Sequence, residues 1–161
     1  MAQNSVIKVV YTEDIVRDAV RTFVWRRGIV GQKRLWVAEA AMIALLLWNG
    51  DRGWVATIMF AIILLPPAMI AVMWIAHHRN TVGKYRRMRT PDATLTLRDE
   101  ALVVASDLGS ATIPWSTLTE IWERPAYWMI FIGPNQFFTL PLQTLSPADR
   151  DFLRSKVARV S

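Results

Sequence analysis

The chain of 161 residues contains no cysteine, and this absence excludes several kinds of site at once. Without thiols there is no disulfide scaffold, no thiolate metal site and no cysteine nucleophile. The two histidines, His77 and His78, are adjacent, so on a helix they point about 100° apart and are poorly placed to share one metal. Paired carboxylates, a glycine-rich phosphate loop and a nucleophile motif are also missing. We therefore expect a protein that is not an enzyme and binds no cofactor or metal.

Acidic residues are scarce in the first part of the chain. Residues 1–91 carry 13 Lys or Arg against 5 Asp or Glu, a net charge of +8, whereas residues 92–161 carry 6 against 8, a net charge of −2. The positive residues flank an apolar block and form no stripe interleaved with exposed aromatics, so we do not expect nucleic acid as a partner. The first 25 residues have no apolar core of signal-peptide length, so we expect no cleavable signal.

The apolar residues are concentrated in one block, residues 35–76, although the mean hydropathy of the whole chain is only +0.23. Residues 54–76 carry no charge, and 23 helical residues extend about 34 Å, enough for a hydrocarbon core of ~30 Å. Residues 35–48 are a shorter apolar run that spans a bilayer if Lys33 and Arg34 extend to the interface. These runs predict a two-helix transmembrane hairpin, with buried helices of a soluble protein as the alternative.

Charge asymmetry gives the hairpin an orientation. The connection at residues 49–53 is short and polar, with Trp48 and Trp54 as interfacial anchors at its two ends. Basic residues cluster at the opposite ends of both spans, whereas Arg52 is the single basic residue in the connection. The positive-inside rule then predicts a multi-pass protein of the cell (inner) membrane with both termini in the cytoplasm.

A pair of prolines lies at the midpoint of the second span. Pro66 and Pro67 lack the N–H groups that would bond the carbonyls of Ile62 and Ile63. We expect a helix break or bend there. It is either a static bend or a place where the freed carbonyls hold an ion.

Glu39 lies about one turn inside the first span, where a carboxylate is costly. We expect it to pair with His77 or His78 or to be exposed near the interface; proton or ion handling is the alternative. Glu39, His77 and His78 are thus the candidate intramembrane polar site.

The segment of residues 77–91 joins the second span to the rest of the chain and is basic. Its residues Lys84, Arg86, Arg87 and Arg89 are candidate contacts for anionic lipid headgroups, at ~1 kcal/mol per charge near a membrane surface. Ordinary topology-setting charge is an equally good explanation.

Residues 92–161 change to short alternating runs, which predict a small β-rich domain. The runs are at 94–97, 102–104, 111–114, 118–122, 128–132 and 137–140, with turns between them, and about five strands in all are expected from them. Ser146, Pro147 and Asp149 predict the start of a final helix whose apolar face includes Phe152 and Val160. Residues 1–34 predict an N-terminal strand at 6–11 and an amphipathic helix from Glu13 to about Arg27 capped by Thr12. Whether that strand joins the later sheet is left open.

The order of these motifs resembles the YcxB-like family of bacterial membrane proteins. The likeness rests on the residues 11–14 (YTED), two spans, residues 113–116 (IPWS) and Leu140-Pro141 before a short helix, and it covers nearly the whole chain. The resemblance implies two spans and a cytoplasmic β-domain similar to the pleckstrin-homology architecture. It brings no catalytic residues. From the residues alone, Trp115 is expected as a hydrophobic anchor, Ser116 as a turn former and Pro141 as a strand terminator.

Two functions from different classes remain. The first is a non-enzymatic membrane-anchored module whose β-domain binds a protein, a peptide strand or lipid headgroups. The second is a small transport or ion-pathway protein. Because two helices cannot enclose a pore, that function requires a homo-oligomer of hairpins. The lipid bilayer is the partner common to both.

Overall fold

The structure is a computed structural model that describes residues 5–50 and 53–157. The chain forms two compact units, one of residues 5–19 and 83–157 and the other of Val20–Val82. The architecture is α+β with antiparallel sheets, as predicted. Asp51 and Arg52 of the predicted connection, and Val160 of the predicted final helix, lie outside the described residues.

The first unit is built from two antiparallel sheets and a final helix. One sheet has the order β1 (Ser5–Val10), β2 (Asp92–Leu97), β3 (Ala101–Ser106), β4 (Gly109–Pro114). The other has the order β5 (Leu118–Glu123), β6 (Tyr127–Ile132), β7 (Phe137–Pro141). Within the described residues six strands follow residue 91, one more than the approximate five predicted, because every predicted apolar run finds a partner strand.

The N-terminal strand does join the later sheet, which answers the question that the sequence left open. β1 pairs antiparallel with β2, with Val10 opposite Asp92, and Lys8 Nζ lies 2.8 Å from Asp92 Oδ2. The helical unit is therefore inserted between two neighbouring strands. Both of its chain connections leave from the same end of the sheet, at Val10 and Asp92.

The core of the first unit follows from strand periodicity. In β2 the side chains of Ala93, Leu95 and Leu97 are buried and the intervening threonines are half-buried, as expected for a strand with one face on a core. β6 is buried along nearly its whole length. The core combines both sheets with residues of the loops and of the final helix: Ile7, Val9, Leu95, Leu102, Trp115, Leu118, Trp128, Ile130, Leu140, Leu145, Leu153 and Val157.

The final helix and the Trp115 turn confirm the local sequence predictions. Helix α4 (Pro147–Val157) begins with a capping box, in which Ser146 Oγ accepts from the N–H of Asp149 and Asp149 Oδ2 accepts from the N–H of Ser146, both at 3.2 Å. Trp115 opens a 3₁₀ turn and is 6% exposed; its indole N–H donates to Arg98 O at 2.9 Å. Pro141 ends β7.

The helical segments differ from the predicted lengths. α1 (Glu13–Phe23) ends before Arg27 and continues as a π-helical segment (Val24–Ile29), a 3₁₀ turn (Val30–Gln32) and α2 (Lys33–Asn49). α3 (Trp54–Tyr85) extends nine residues beyond the predicted end of the second span, and residues 77–85 contain no proline to end it. Much of the predicted basic segment is therefore helical. The helix also continues through Pro66 and Pro67, so the prolines do not end it, and a bend there stays a prediction.

One helix of the described chain, α3, is long and apolar enough to cross a membrane, and none of its most apolar 18-residue stretch is buried. Large apolar side chains such as Phe60, Leu65 and Val72 are about 60% exposed or more. α2 is apolar as well, but its 17 residues extend about 26 Å, short of a ~30 Å core. The first span of the predicted hairpin is thus not established by helix length.

Candidate functional site

The two chain connections of the first unit are tied together by a cluster that we call the junction, formed by Tyr11, Glu13, Arg86 and Pro91. The N–H of Tyr11 donates to Pro91 O at 2.7 Å, and Arg86 Nη2 donates to Glu13 Oε1 at 2.6 Å. Arg17 donates to the same carboxylate oxygen at 2.7 Å. Thr12 Oγ1 accepts from the N–H of Ile15 at 3.4 Å, which confirms the predicted cap of α1. The start of α1 is therefore fixed to the end of α3 by polar contacts.

Electrostatics at the junction follow from these contacts. The hydrogen bond from Arg86 holds the pKa of the Glu13 carboxyl below its ordinary value, with Arg17 contributing. A hydrogen bond from Lys8 lowers the pKa of Asp92 in the same way. Burial against the core raises the pKa of Tyr11 to about 12. At neutral pH the junction therefore contains charged, paired carboxylates and a neutral phenol.

The four basic residues predicted to contact lipid headgroups separate into two groups. Arg86 is bound to Glu13. Lys84, Arg87 and Arg89 have exposed side chains, and in the described part of the chain none of the three forms an ion pair. The backbone N–H of Arg89 is held by Asp107 Oδ2. Three exposed positive charges without an ion-pair partner among the described residues therefore lie within six residues, Lys84 in the last turn of α3 and Arg87 and Arg89 after it.

The outer edge of β4 is the most open sheet edge of the first unit. Its sequence, GSATIP, has no charged side chain, five of its six residues are exposed, and its ladder with β3 has no bulge. Charges and bulges are the usual protection of an edge strand, and β5 has both: Glu123 at its end and an irregularity between Leu118 and Glu120. β1, the opposite edge of the same sheet, lies beside β7.

The register of β4 shows which backbone groups are free. The N–H of Trp115 donates to Glu100 O, so residues 115 and 100 form a hydrogen-bonded pair. From there, hydrogen-bonded and non-hydrogen-bonded pairs alternate along β4 and β3. Ser110 and Thr112 consequently direct their N–H and C=O groups away from β3. Pro114 offers no N–H at the end of the strand. Residues 109–113 thus present a short backbone template.

Comparison with known proteins identifies this part of the chain. Residues 97–157 match the family model described as YcxB-like protein. Over these residues the chain is similar to the YcxB-like family. No curated protein and no solved structure matches it. The match begins at the last residue of β2 and ends with α4, so it covers less than half of the chain and leaves β1 and the helical unit outside.

The residues of the predicted intramembrane polar site make separate contacts in the structure. Glu39 is only 9% exposed, and its Oε2 has no hydrogen-bond partner among the described residues. His77 packs its ring against Phe23 with centroids 4.3 Å apart, and His78 stacks on Trp74 at 6.1 Å. No hydrogen bond joins Glu39 to either histidine among the described residues, so the predicted pairing is not found. Exposure of Glu39 near a membrane interface stays a prediction.

Gly28 is a close-packing position that the sequence analysis missed. It is buried in the π-helical segment, and a Cβ atom there would contact Ile70 Cδ1 and lie 2.7 Å from Met73 Cε of α3. Its carbonyl accepts a hydrogen bond of 3.0 Å from the indole N–H of Trp36. A glycine among apolar and basic residues was a signal of close helix approach that could have been used.

Proposed function

We propose that this YcxB-like protein is a non-enzymatic, membrane-anchored binding module. Its helical unit is the anchor, a two-span hairpin with both termini in the cytoplasm. The exposed apolar surface of α3 supports the anchor, and the exposed apolar residues of α2 support a second, shorter span. The domain of two sheets and a final helix is the binding part, and its four-plus-three strand order supports a pleckstrin-homology-like scaffold.

The ligand that the geometry favours is an extended peptide segment of a protein partner, added as a strand to β4. The observation that carries this proposal is the uncharged, unbulged edge with the free backbone groups of Ser110 and Thr112. A peptide there completes main-chain hydrogen bonds in register, and the small side chains of β4 let it approach. Six residues of strand suffice for a transient interaction.

The test compares two variants of one residue in the full chain. Thr112→Pro removes the outward N–H and leaves the β3 ladder intact, whereas Thr112→Val keeps the N–H and changes the side chain little. Each is expressed in native membranes, solubilised gently and purified with its bound proteins and lipids, which mass spectrometry identifies. We expect a protein partner that is retained by wild type and Thr112→Val and lost from Thr112→Pro. The same proteins on all three would contradict the edge as the site.

Binding of anionic lipid headgroups is the second candidate, favoured by the three unpaired charges of Lys84, Arg87 and Arg89. Replacing all three with Gln should reduce co-purified anionic lipid and leave the protein partner in place. The matched control is Arg98→Gln, an exposed charge in the turn between β2 and β3. If the triple variant and Arg98→Gln co-purify with equal amounts of anionic lipid, the three charges set membrane topology and do not bind headgroups.

A further inference from the structure

A buried carboxyl oxygen in the helical unit has no donor to satisfy it. Glu39 Oε2 is buried and accepts no hydrogen bond from the described residues. Glu39 lies on the one face of α2 that is covered, formed by Trp36, Glu39, Met42 and Leu46 at helical spacing. A charged or acceptor-only oxygen in such surroundings requires a positive or donating partner.

Two carbonyl oxygens of α3 have the same requirement. Because Pro66 and Pro67 have no N–H, the carbonyls of Ile62 and Ile63 receive no hydrogen bond from the helix itself. Ile63 belongs to a half-buried stripe that repeats every three or four residues along α3: Ala56, Met59, Ile63, Pro66, Ile70, Met73 and His77. No ionisable side chain occurs in this stripe before His77.

Contacts within the helical unit bring these oxygens to the same level. Phe23 packs on His77, and Gly28 packs on Ile70 and Met73, so the first helical segments run antiparallel to α3. Glu39 is about three helical turns beyond Gly28 along the chain. Because α3 runs in the opposite direction, the corresponding segment of α3 lies three turns before Ile70 and Met73, at residues 59–62. If α2 continues in the direction of these segments, this register brings the Glu39 carboxyl to the level of the freed carbonyls, which is the premise that the cross-linking below tests.

We propose that the Glu39 carboxylate and the carbonyls of Ile62 and Ile63 form a cation site between α2 and α3. Three acceptor oxygens without a donor, in apolar surroundings, suit a hard cation: a proton on Glu39 shared with a carbonyl, or a monovalent metal ion. The single negative charge of the Glu39 carboxylate balances the single positive charge of such a cation. The charged groups nearest to it are Lys33 and Arg34, exposed on the first turn of α2, and His77 at the end of the stripe. The site is independent of the peptide edge, which the Thr112 variants test separately.

The level of Glu39 on α3 is tested by cross-linking, which is simple because the chain has no cysteine. The register predicts that Met42→Cys with Met59→Cys forms a disulfide on mild oxidation of the protein in membranes. Met42→Cys with Met73→Cys should form none. The opposite pattern would place Glu39 away from the freed carbonyls and overturn the site.

Cation binding is tested by the unfolding temperature of the full chain in detergent micelles. The temperature is measured against pH, and against lithium, sodium and potassium chloride with choline chloride holding the ionic strength. For wild type we expect the unfolding temperature to rise by about 5 °C under one of these conditions. A rise as the pH falls identifies a proton as the cation, and a rise with one of the metal chlorides identifies that metal ion.

Two substitutions assign the dependence to Glu39. Glu39→Gln places an amide N–H against the carbonyls. It should therefore unfold at the higher temperature expected for cation-bound wild type, and this temperature should not depend on the cation. Glu39→Leu leaves the carbonyls without a donor and should unfold lower under all conditions; if it fails to fold, the Gln variant decides. Glu100→Gln, at an exposed turn, should behave as wild type. A wild-type dependence identical to that of Glu39→Gln, or no dependence at all, would overturn the proposal.

Discussion

The hydroxyl of Tyr127 donates a hydrogen bond of 2.5 Å to Asp18 Oδ2, joining β6 to α1 across 109 positions of the chain. The Arg124 guanidinium lies 3.6 Å from the same oxygen. Together with the pairing of β1 and β2, this bond makes the N-terminal segment a structural part of the YcxB-like domain. Residues that the family match omits therefore pack directly against the part that it covers.

Removing this hydrogen bond should be measurable. Tyr127 is 3% exposed and its acceptor is a carboxylate, so Tyr127→Phe should cost about 1–2 kcal/mol of the free energy of unfolding. Chemical denaturation followed by tryptophan fluorescence measures the loss. In an Asp18→Asn background the same substitution should cost clearly less, because the charged acceptor is already gone; equal costs would show that the two side chains do not interact.

The junction should make stability depend on acidic pH. Because Arg86 lowers the pKa of Glu13 in the folded state, the stabilisation is complete above the ordinary value of 4.5 and is lost as the pH falls through the lower folded value. Amide exchange at Tyr11, whose N–H is bonded to Pro91, reports it. Glu13→Gln should flatten the dependence at this amide. A profile that Arg98→Gln changes as strongly would contradict the assignment.

Tyr11 should titrate well above the ordinary phenol range. Burial raises its pKa to about 12 from 10.0, and since the neutral phenol is the folded form, the associated stability is lost as the pH rises above 10 towards 12. Ultraviolet absorbance at high pH should contain an ionisation step near 12. Tyr11→Phe should remove that step and Tyr85→Phe should keep it.

Core packing gives the largest expected effect. Leu102 in β3 is 0% exposed, so Leu102→Ala should cost about 2–5 kcal/mol of the free energy of unfolding. Leu108, in the turn between β3 and β4, is 52% exposed and provides the matched control, where Leu→Ala should change little. Similar losses at both positions would mean that β3 does not face the core.

Local patterns in the sequence predicted the elements of the β-domain well. The alternation around Leu95, the cap at Ser146 and the turn at Trp115 depend on neighbouring residues, so the sequence contains them directly. The pairing of β1 with β2 joins segments more than 80 residues apart, and no local pattern encodes such a pairing. Helix ends were less accurate: α3 continues to Tyr85, and the residue after it, Arg86, is bound by Glu13, a distant residue that no local pattern connects to it.

The candidate sites were predicted as residues but not as arrangements. Glu39, His77 and the prolines were identified from their cost in an apolar segment, yet the depth of Glu39 relative to α3 depends on the close approach at Gly28. That approach involves a π-helical segment, whose hydrogen bonding leaves no simple periodic signal in the sequence. Likewise, the sequence does not distinguish Arg86 from its basic neighbours Lys84 and Arg87, because its partner, Glu13, is far away in the chain.

The anchor hairpin is the central claim, and its topology can be measured directly in the cysteine-free chain. Gly53→Cys, next to the loop, and Ser116→Cys, in the β-domain, are labelled separately in intact cells and in permeabilised cells with a membrane-impermeant maleimide. The account predicts labelling of Gly53→Cys from outside and of Ser116→Cys only after permeabilisation. Labelling of Gly53→Cys only after permeabilisation, as for Ser116→Cys, would contradict a two-span hairpin.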